Sequence, residues 1–481
     1  MVNQESNAKM TNYRWVICSM LFFATMVNYL DRQVLSLTWK DFIAPEFHWT
    51  NNDYGTITAL FSIFYAVCML FAGRFVDWMD TKKGFHWAIG VWSIGAILHA
   101  FCGIATSGIT AGTWFVGFEG AREAIAVVQN VGRVASVSVT LFIFARFVLA
   151  LGEAGNFPAA IKATAEYFPK KDRAYATSIF NAGSTIGALA APLSIPVIAK
   201  YYGWEMSFII IGALGFIWMG FWQFIYNKPE KHSKVNKAEL EYILSDSEVV
   251  QKTSEAKEKV PFLQCFKYSQ TWAFAFGKFM TDGVWWFYLF WMPAYLSDVY
   301  GIKSSDSLGQ WAIFVIYLIV MLSLYGGKLP TIIINKTGKN PYAARMQAML
   351  IFAFFPLLAL LAQPLGYISF WIPVVIIGIA GAAHQSWSAN IFSTIGDMFP
   401  KKAIATITGI GGMAGGVGSF LINKGSGWLF DFTENSAMQL LGFKGIEVGY
   451  FIVFCVCAVA YLIGWVVMKA LVPEYKPITD L

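Results

Sequence analysis

Charge is scarce in this chain. Only 13% of its 481 residues are Asp, Glu, Lys or Arg, about half the share usual in soluble domains. The shortfall excludes an ordinary soluble globule. Histidine is rare too, with five scattered copies, and no Ser/His/Asp, metal-ligand or dinucleotide-binding pattern occurs at workable spacing, which leaves an enzyme without machinery and implies no cofactor. The six cysteines, Cys18, Cys68, Cys102, Cys265, Cys455 and Cys457, lie mostly in apolar runs; the one close pair, Cys455 and Cys457, has no acidic or histidine company. They read as packing residues, not as a disulfide framework. The Lys and Arg behind the net charge of +6 are spread over many short segments, which speaks against nucleic acid.

What is abundant is apolar surface: 57% hydrophobic residues, with 42 Phe and 19 Trp. The apolar stretches have helix length, not the short alternating pattern of an outer-membrane barrel. Twelve spans are expected, near 15–38, 53–73, 86–106, 137–160, 175–199, 204–226, 270–295, 308–332, 345–365, 368–396, 404–427 and 447–470. The first is too long for a signal-peptide core and is kept as a helix. With the N-terminus inside, 25 of the 35 Lys and Arg fall in inner segments, 7 in outer loops and 3 within spans. Both termini are therefore expected in the cytoplasm, in a multi-pass protein of the inner (cytoplasmic) membrane.

The chain is internally repeated. Phe168-Pro169-Lys170-Lys171 recurs as Phe399-Pro400-Lys401-Lys402, and the same offset of 231 gives 8 identities over positions 168–187. Two six-helix halves in parallel repeat follow, 1–226 and 269–481, joined by a cytoplasmic linker at 227–268 with an amphipathic helix beginning at Lys237. Gly73-Arg74 matches Gly327-Lys328 at a larger offset. The difference points to an insertion of about 23 residues in the first half. The segment 106–136 supplies it, and an extra outer helix is expected there.

Charges inside apolar helices cost about 3 kcal/mol each on mild scales and mark functional sites by default. Asp31 and Arg32 end an apolar run within the first span, where an interfacial anchor is the structural alternative. Arg146 and Glu153 lie seven residues apart, on one helix face and about 10 Å along it, where an intramembrane ion pair is the structural alternative. Lys278 and Asp282 have the four-residue spacing of a helix-face pair. A planar guanidinium suits a carboxylate because it offers parallel hydrogen bonds and does not deprotonate. An arginine moving between two acids changes their proton affinities, which is a means of coupling. Asp31, Glu153 and Arg146 are therefore the proton-coupling candidates. Trp285, Trp286 and Tyr288 could stack on a sugar or simply pack. Tyr65, Asn181, His384, Gln385, Ser388 and Asn390 are uncharged polar groups in apolar helices, and their number favours a polyhydroxylated ligand. The repeat offset carries Glu153 onto His384. The Gly-rich run from Gly409 to Gly418 lacks the Lys-Ser/Thr end of a phosphate loop and reads as close helix packing.

Gly73-Arg-Phe-Val-Asp77-Trp-Met-Asp-Thr-Lys82-Lys83 resembles the loop motif between spans two and three of the major facilitator superfamily, departing from it at Trp78 and Asp80. Tyr29-Leu-Asp31-Arg32, Arg146 through Pro158, and Glu166-Tyr-Phe168-Pro169 resemble its anion:cation symporter branch. Phe180-Asn181-Ala-Gly-Ser184, Gly381-x-x-His384-Gln385 and Gly409-Ile-x-Gly-Met413-Ala are similar to bacterial hexuronate transporters. The resemblance implies an all-α membrane fold of twelve helices and proton-coupled import of an organic anion by alternating access. It implies glucuronate or galacturonate as substrate, with a proton as the partner ion. Arg32 would hold the substrate carboxylate, and Tyr29, Tyr65, Asn181, Lys278, His384 and Gln385 its other groups. An aldonate or another small organic anion is the alternative, and a non-transporting sensor a remoter one. A monomer is the default.

Overall fold

The computed structural model describes residues 9–245, 262–400 and 403–479. Lys401 and Lys402 of the repeated motif, and 246–261 of the linker, lie outside them. Nine helical stretches among the described residues are long and apolar enough to cross a membrane: Asn51–Met79 (span two), Thr81–Ala111 (three), Val131–Tyr167 (four), Lys171–Tyr202 (five), Trp204–Ile225 (six), Ser307–Thr337 (eight), Pro341–Gly366 (nine), Trp371–Met398 (ten) and Ile446–Leu471 (twelve). Three more helices have spanning length but more polar cores: Arg14–Thr38 (one), Ser269–Tyr300 (seven) and Ile404–Asn435 (eleven). At 1.5 Å per residue each exceeds the roughly 30 Å hydrocarbon thickness. Their polar side chains face other helices: Asn28, Asp31, Arg32, Gln33, Lys278, Ser419 and Asn423 are all buried.

Several spans are broken where the sequence forces it. Span four changes from Val131–Glu153 to Asn156–Tyr167 at Ala154-Gly155. Span nine passes through a 3-10 stretch, Phe355–Leu361, opened by Pro356, which cannot donate a backbone hydrogen bond. Span one continues into a π-helical turn, Trp39–Ile43, and a short helix, Ala44–Phe47, that stops at His48 in the left-handed region. Span two then opens on a reciprocal cap: Thr50 Oγ1 accepts from the Asp53 amide, and Asp53 Oδ2 accepts from the Thr50 amide.

Polar contacts between the first six and last six spans gather at the end of the bundle opposite to the termini. Lys40 meets Asp298 at 2.6 Å. Asp41 accepts from the Ser304 amide and hydroxyl, both at 2.7 Å. Asp431 of span eleven accepts from the Asn51 and Asn52 amides at 3.0 and 2.7 Å, so a carboxylate from one half caps a helix of the other. Lys424 donates to Asn52 and Thr56, each at 2.7 Å. Below these, spans two and eleven meet along a seam of small residues. A Cβ on Gly416 would collide with Ala66, and one on Gly427 would stand 2.5 Å from the Asn51 carbonyl. Ser62 and Ser419 share a hydrogen bond of 2.8 Å there. The Gly-rich run is thus close helix packing.

The segment 106–136 contains a nine-residue helix, Phe118–Ala126. The linker contains the amphipathic helix, Lys237–Leu244, capped by Asn236. Its buried Glu239 accepts from the amides of Tyr13 and Arg14 and pairs with the Arg14 guanidinium at 3.1 Å. All six cysteines are unbridged.

Candidate functional site

Arg32 pairs with Glu153, and the two come from different spans. Arg32 Nη2 and Nε donate to the one oxygen Glu153 Oε2, at 2.9 and 3.2 Å, while Oε1 of the same carboxylate has no protein partner. The pairing within span four, Arg146 with Glu153, is not formed. Spans three and four are pressed together beside this point: a Cβ on Gly152 would run into the backbone of Ala88 and Trp92, so only glycine allows the approach that aims Glu153 at span one. Aromatic rings wrap the guanidinium of Arg32. Tyr65, Tyr29 and Trp286 stand 4.8, 5.2 and 5.3 Å from its carbon, and such faces stabilise a cation that has left water.

Arg146 lies deeper, 5.0 Å over the Phe61 ring, with Nε and Nη1 unpartnered. Both carboxylate oxygens of Asp31 are buried without a hydrogen bond of good geometry. The charges acting on Asp31 are Glu153, Arg146 and Arg32, and the Trp92 indole is turned toward it. Asn28 and Asn156 add further buried, unpartnered amides. His99 donates from Nδ1 to the Gly95 carbonyl at 2.7 Å, because a carbonyl can only accept, and its Nε2 is unpartnered. So many orphaned groups in one region of spans one, three and four are unusual, and polar interiors of this kind normally hold water.

In the second half, Lys278 and Asp282 form the expected i,i+4 pair at 2.7 Å, with Lys278 Nζ 4.2 Å over the Phe392 ring. His384 is buried. Its ring is parallel to Trp285 at 5.3 Å, and its Nδ1 meets the Tyr461 hydroxyl at 2.8 Å. Gln385 faces the other way, into a cavity of about 130 Å³ between the halves. Tyr29, Ser184 and Thr185 line that cavity from the first half, and Trp285, Ser323 and Gln385 from the second. Tyr29 links the cavity to Arg32. Asn181 stands apart: it is exposed on span five and does not line the cavity. Ser184 and Thr185, one turn further on, take the place expected of it. The sequence signal was there, two adjacent hydroxyls in an apolar span, but hydroxyls so placed usually bond their own helix. No group of three His, Cys, Asp or Glu that could hold a metal occurs among the described residues.

The interior therefore carries three cations, Arg32, Arg146 and Lys278, and three acids, Asp31, Glu153 and Asp282. Two of each are paired, Arg32 with Glu153 and Lys278 with Asp282, while Asp31 and two of the Arg146 donors have no partner. The chain is 27% identical to the hexuronate transporter of Escherichia coli (strain K12) over 469 residues, 96% of this chain and 95% of that one. It is 26% identical to the galacturonate transporter of Dickeya chrysanthemi, over 67% of this chain and 83% of that one. To a probable galactarate/D-glucarate transporter of Escherichia coli (strain K12) it is 26% identical, over 86% and 89%. Among solved structures, an inward-facing, occupied bacterial homolog of the human lysosomal transporter Spinster superposes with a TM-score of 0.69 at 16% identity, covering 99% of this chain and all of that one. A D-xylose–proton symporter gives 0.63 at 16% identity, over 97% and 99%. The profile of the Major Facilitator Superfamily matches residues 21–422. With its twelve membrane-spanning helices, the chain belongs to the Major Facilitator Superfamily of transporters.

Proposed function

We propose that this protein is a proton-coupled symporter that imports hexuronates, glucuronate or galacturonate, by alternating access. Its halves, 1–226 and 269–481, would rock about a site between them, with 227–268 as cytoplasmic linker. The reading places it in the cytoplasmic membrane as a monomer, both termini inside.

The observation that carries the reading is the Arg32–Glu153 pair beside a polar cavity between the halves. Glu153 occupies the guanidinium that suits a substrate carboxylate. A substrate binding Arg32 must displace it, and a displaced buried carboxylate is costly unless it takes a proton. Oε1, free of hydrogen bonds, is where that proton would sit. Anion and proton then enter together and the charge balance of the interior is unchanged. Arg146, with two donors in hand, can answer Asp31 or Glu153 as each gains or loses charge, so the acids titrate as a set. Tyr29, Tyr65, Gln385 and Lys278 would meet the rest of the sugar acid, with His384 fixing Trp285 as a flat wall. Asn181 would reach the site only in another conformation.

The test is uptake of labelled glucuronate into proteoliposomes, with and without an inward proton gradient. Accumulation that needs the gradient supports symport. Uptake blind to the gradient removes the coupling role of Asp31 and Glu153. The likeness to a galactarate/D-glucarate transporter supports a second reading, an open-chain sugar acid. Competition by glucarate and galactonate against galacturonate separates the two.

A further inference from the structure

Far from the transport site, Arg122 of the inserted helix Phe118–Ala126 is held by two carboxylates from different parts of the first half. Nη2 meets Glu205 Oε1 and Oε2 at 2.7 and 2.6 Å, at the start of span six. Nε meets Glu46 Oε2 at 3.3 Å, at the end of the segment that extends span one. Glu46 Oε2 also accepts from the Trp204 indole at 2.8 Å. The bridge depends on Gly203: its φ is +90°, and a Cβ there would stand 2.8 Å from Glu205 and 3.0 Å from Arg122.

One guanidinium serves two acids, so the cluster is one charge short. The shortfall falls on Glu46. Its side chain is only 8% exposed, and Oε1 has no partner. Oε1 lies 3.5 Å from where a Cβ on Gly103 would stand, among the rings of Phe47 and Trp204. The remaining charged groups nearby do not answer it. Glu119 and Glu123 of the inserted helix and His48 are exposed. Lys40 and Asp41, on the same segment as Glu46, are engaged with Asp298, Ser297 and Ser304 of the other half. The ligand that satisfies a buried, unpartnered carboxylate oxygen is a proton.

We propose that Glu46, Arg122 and Glu205 form a second proton-binding site, whose proton seats the inserted helix against the 39–47 segment and so steadies the contacts that this segment makes across the halves. The segment is suited to that task. It opens with a π-helical turn, Trp39–Ile43, a conformation frequent at functional sites; the turn carries Lys40 and Asp41, and the short helix Ala44–Phe47 after it carries Glu46. Burial pushes the Glu46 carboxyl up to about 7, with Trp204 and Arg122 opposing and Glu205 adding to the shift. The sign follows. The seated arrangement is complete while Glu46 is protonated and weakens as pH rises through that value, where ionisation leaves a second buried anion on one arginine.

The test uses the full chain in nanodiscs and needs no substrate, so its outcome is independent of the sugar-acid reading. Infrared difference spectra follow the protonated carboxyl as pH is stepped through about 7. Hydrogen exchange, corrected for intrinsic rates, follows 39–47 and 118–126. The wild type and Glu119→Gln should both lose a carboxyl band in that range, with exchange in both segments rising about tenfold, the equivalent of one pH unit. Glu46→Gln should lack the band and keep slow exchange throughout. A band that persists in Glu46→Gln with the same midpoint, or exchange that stays flat in the wild type, overturns the proposal. Should Glu46→Gln fail to fold, Arg122→Gln serves: removing the cation should move the midpoint upward, and an unmoved midpoint overturns the proposal as well.

Discussion

Arg32 and Glu153 are 121 positions apart in sequence and 2.9 Å apart in space. Both donors of the arginine converge on a single oxygen of the glutamate, so the pair can be opened, or its carboxyl protonated, one oxygen at a time. A buried ion pair made only for stability gains little, since desolvation cancels most of the attraction. On the proposed reading, substrate would exchange with Glu153 at this pair.

Glu153→Gln keeps the shape and a hydrogen-bond acceptor for Arg32 but removes the titration. Exchange of internal for external substrate should survive. Gradient-driven accumulation should not: a one-unit gradient, which supports about tenfold accumulation at one proton per anion, should leave the mutant near equilibrium. Wild-type accumulation by the mutant would take Glu153 out of the coupling.

Arg32→Lys keeps the charge and loses the planar fork. A charge-assisted hydrogen bond is worth roughly 1.5–3 kcal/mol, so substrate affinity should fall about 10- to 100-fold. Isothermal titration with galacturonate measures it. Unchanged affinity would move the carboxylate to Lys278 or Arg146.

Asp431→Ala removes the carboxylate that caps span two from the other half. A lost helix cap costs about 1–2 kcal/mol, which is a factor of roughly 5–30 in the balance between closed and open forms of that end. A cysteine placed at Ser62, in an otherwise cysteine-free chain, should react faster with an impermeant thiol reagent by that factor. Equal rates would show that the cap carries none of the closure.

Glu239 anchors the linker helix to the start of span one. Burial pushes its carboxyl up, but the Thr11 hydroxyl, the Arg14 and Tyr13 amides and the Arg14 guanidinium together hold it below the ordinary 4.5. A depressed carboxyl contributes stability that is complete above the ordinary value and is lost as pH falls through the folded one. Limited proteolysis of the linker should therefore accelerate only in acid. In Glu239→Ala it should be fast at every pH, and a mutant as resistant as the wild type would show that the anchor holds nothing.

The spans themselves were readable from hydropathy, because a helix in lipid must be apolar and long. So was the Lys278–Asp282 pair, which one helix settles by itself. The inserted helix and the Lys237–Leu244 helix were readable from repeat offsets and local amphipathicity. The partner of Glu153 was not. Helix periodicity put Arg146 on its face, but the choice between Arg146 and Arg32 depends on how closely spans three and four approach at Gly152, and that is a property of packing. The placement of Asn181 outside the cavity was illegible for the mirror reason. A lone polar residue in an apolar run says that one face differs without saying which neighbour that face meets, and span five turns Ser184 and Thr185, not Asn181, into the cavity.

The glycine and serine seam between spans two and eleven has a kinetic consequence. Smooth, short side chains interlock little, so one helix can roll over the other without lifting large groups out of sockets and without a large enthalpic barrier. The resistance to reorientation is then concentrated in a few directional bonds at the far end: Lys40 to Asp298, Asp41 to Ser304, Asp431 to the span-two amides. On the proposed alternating-access reading, turnover would be paced by this latch and not by friction, and residues remote from the cargo become the natural places to make it faster or slower.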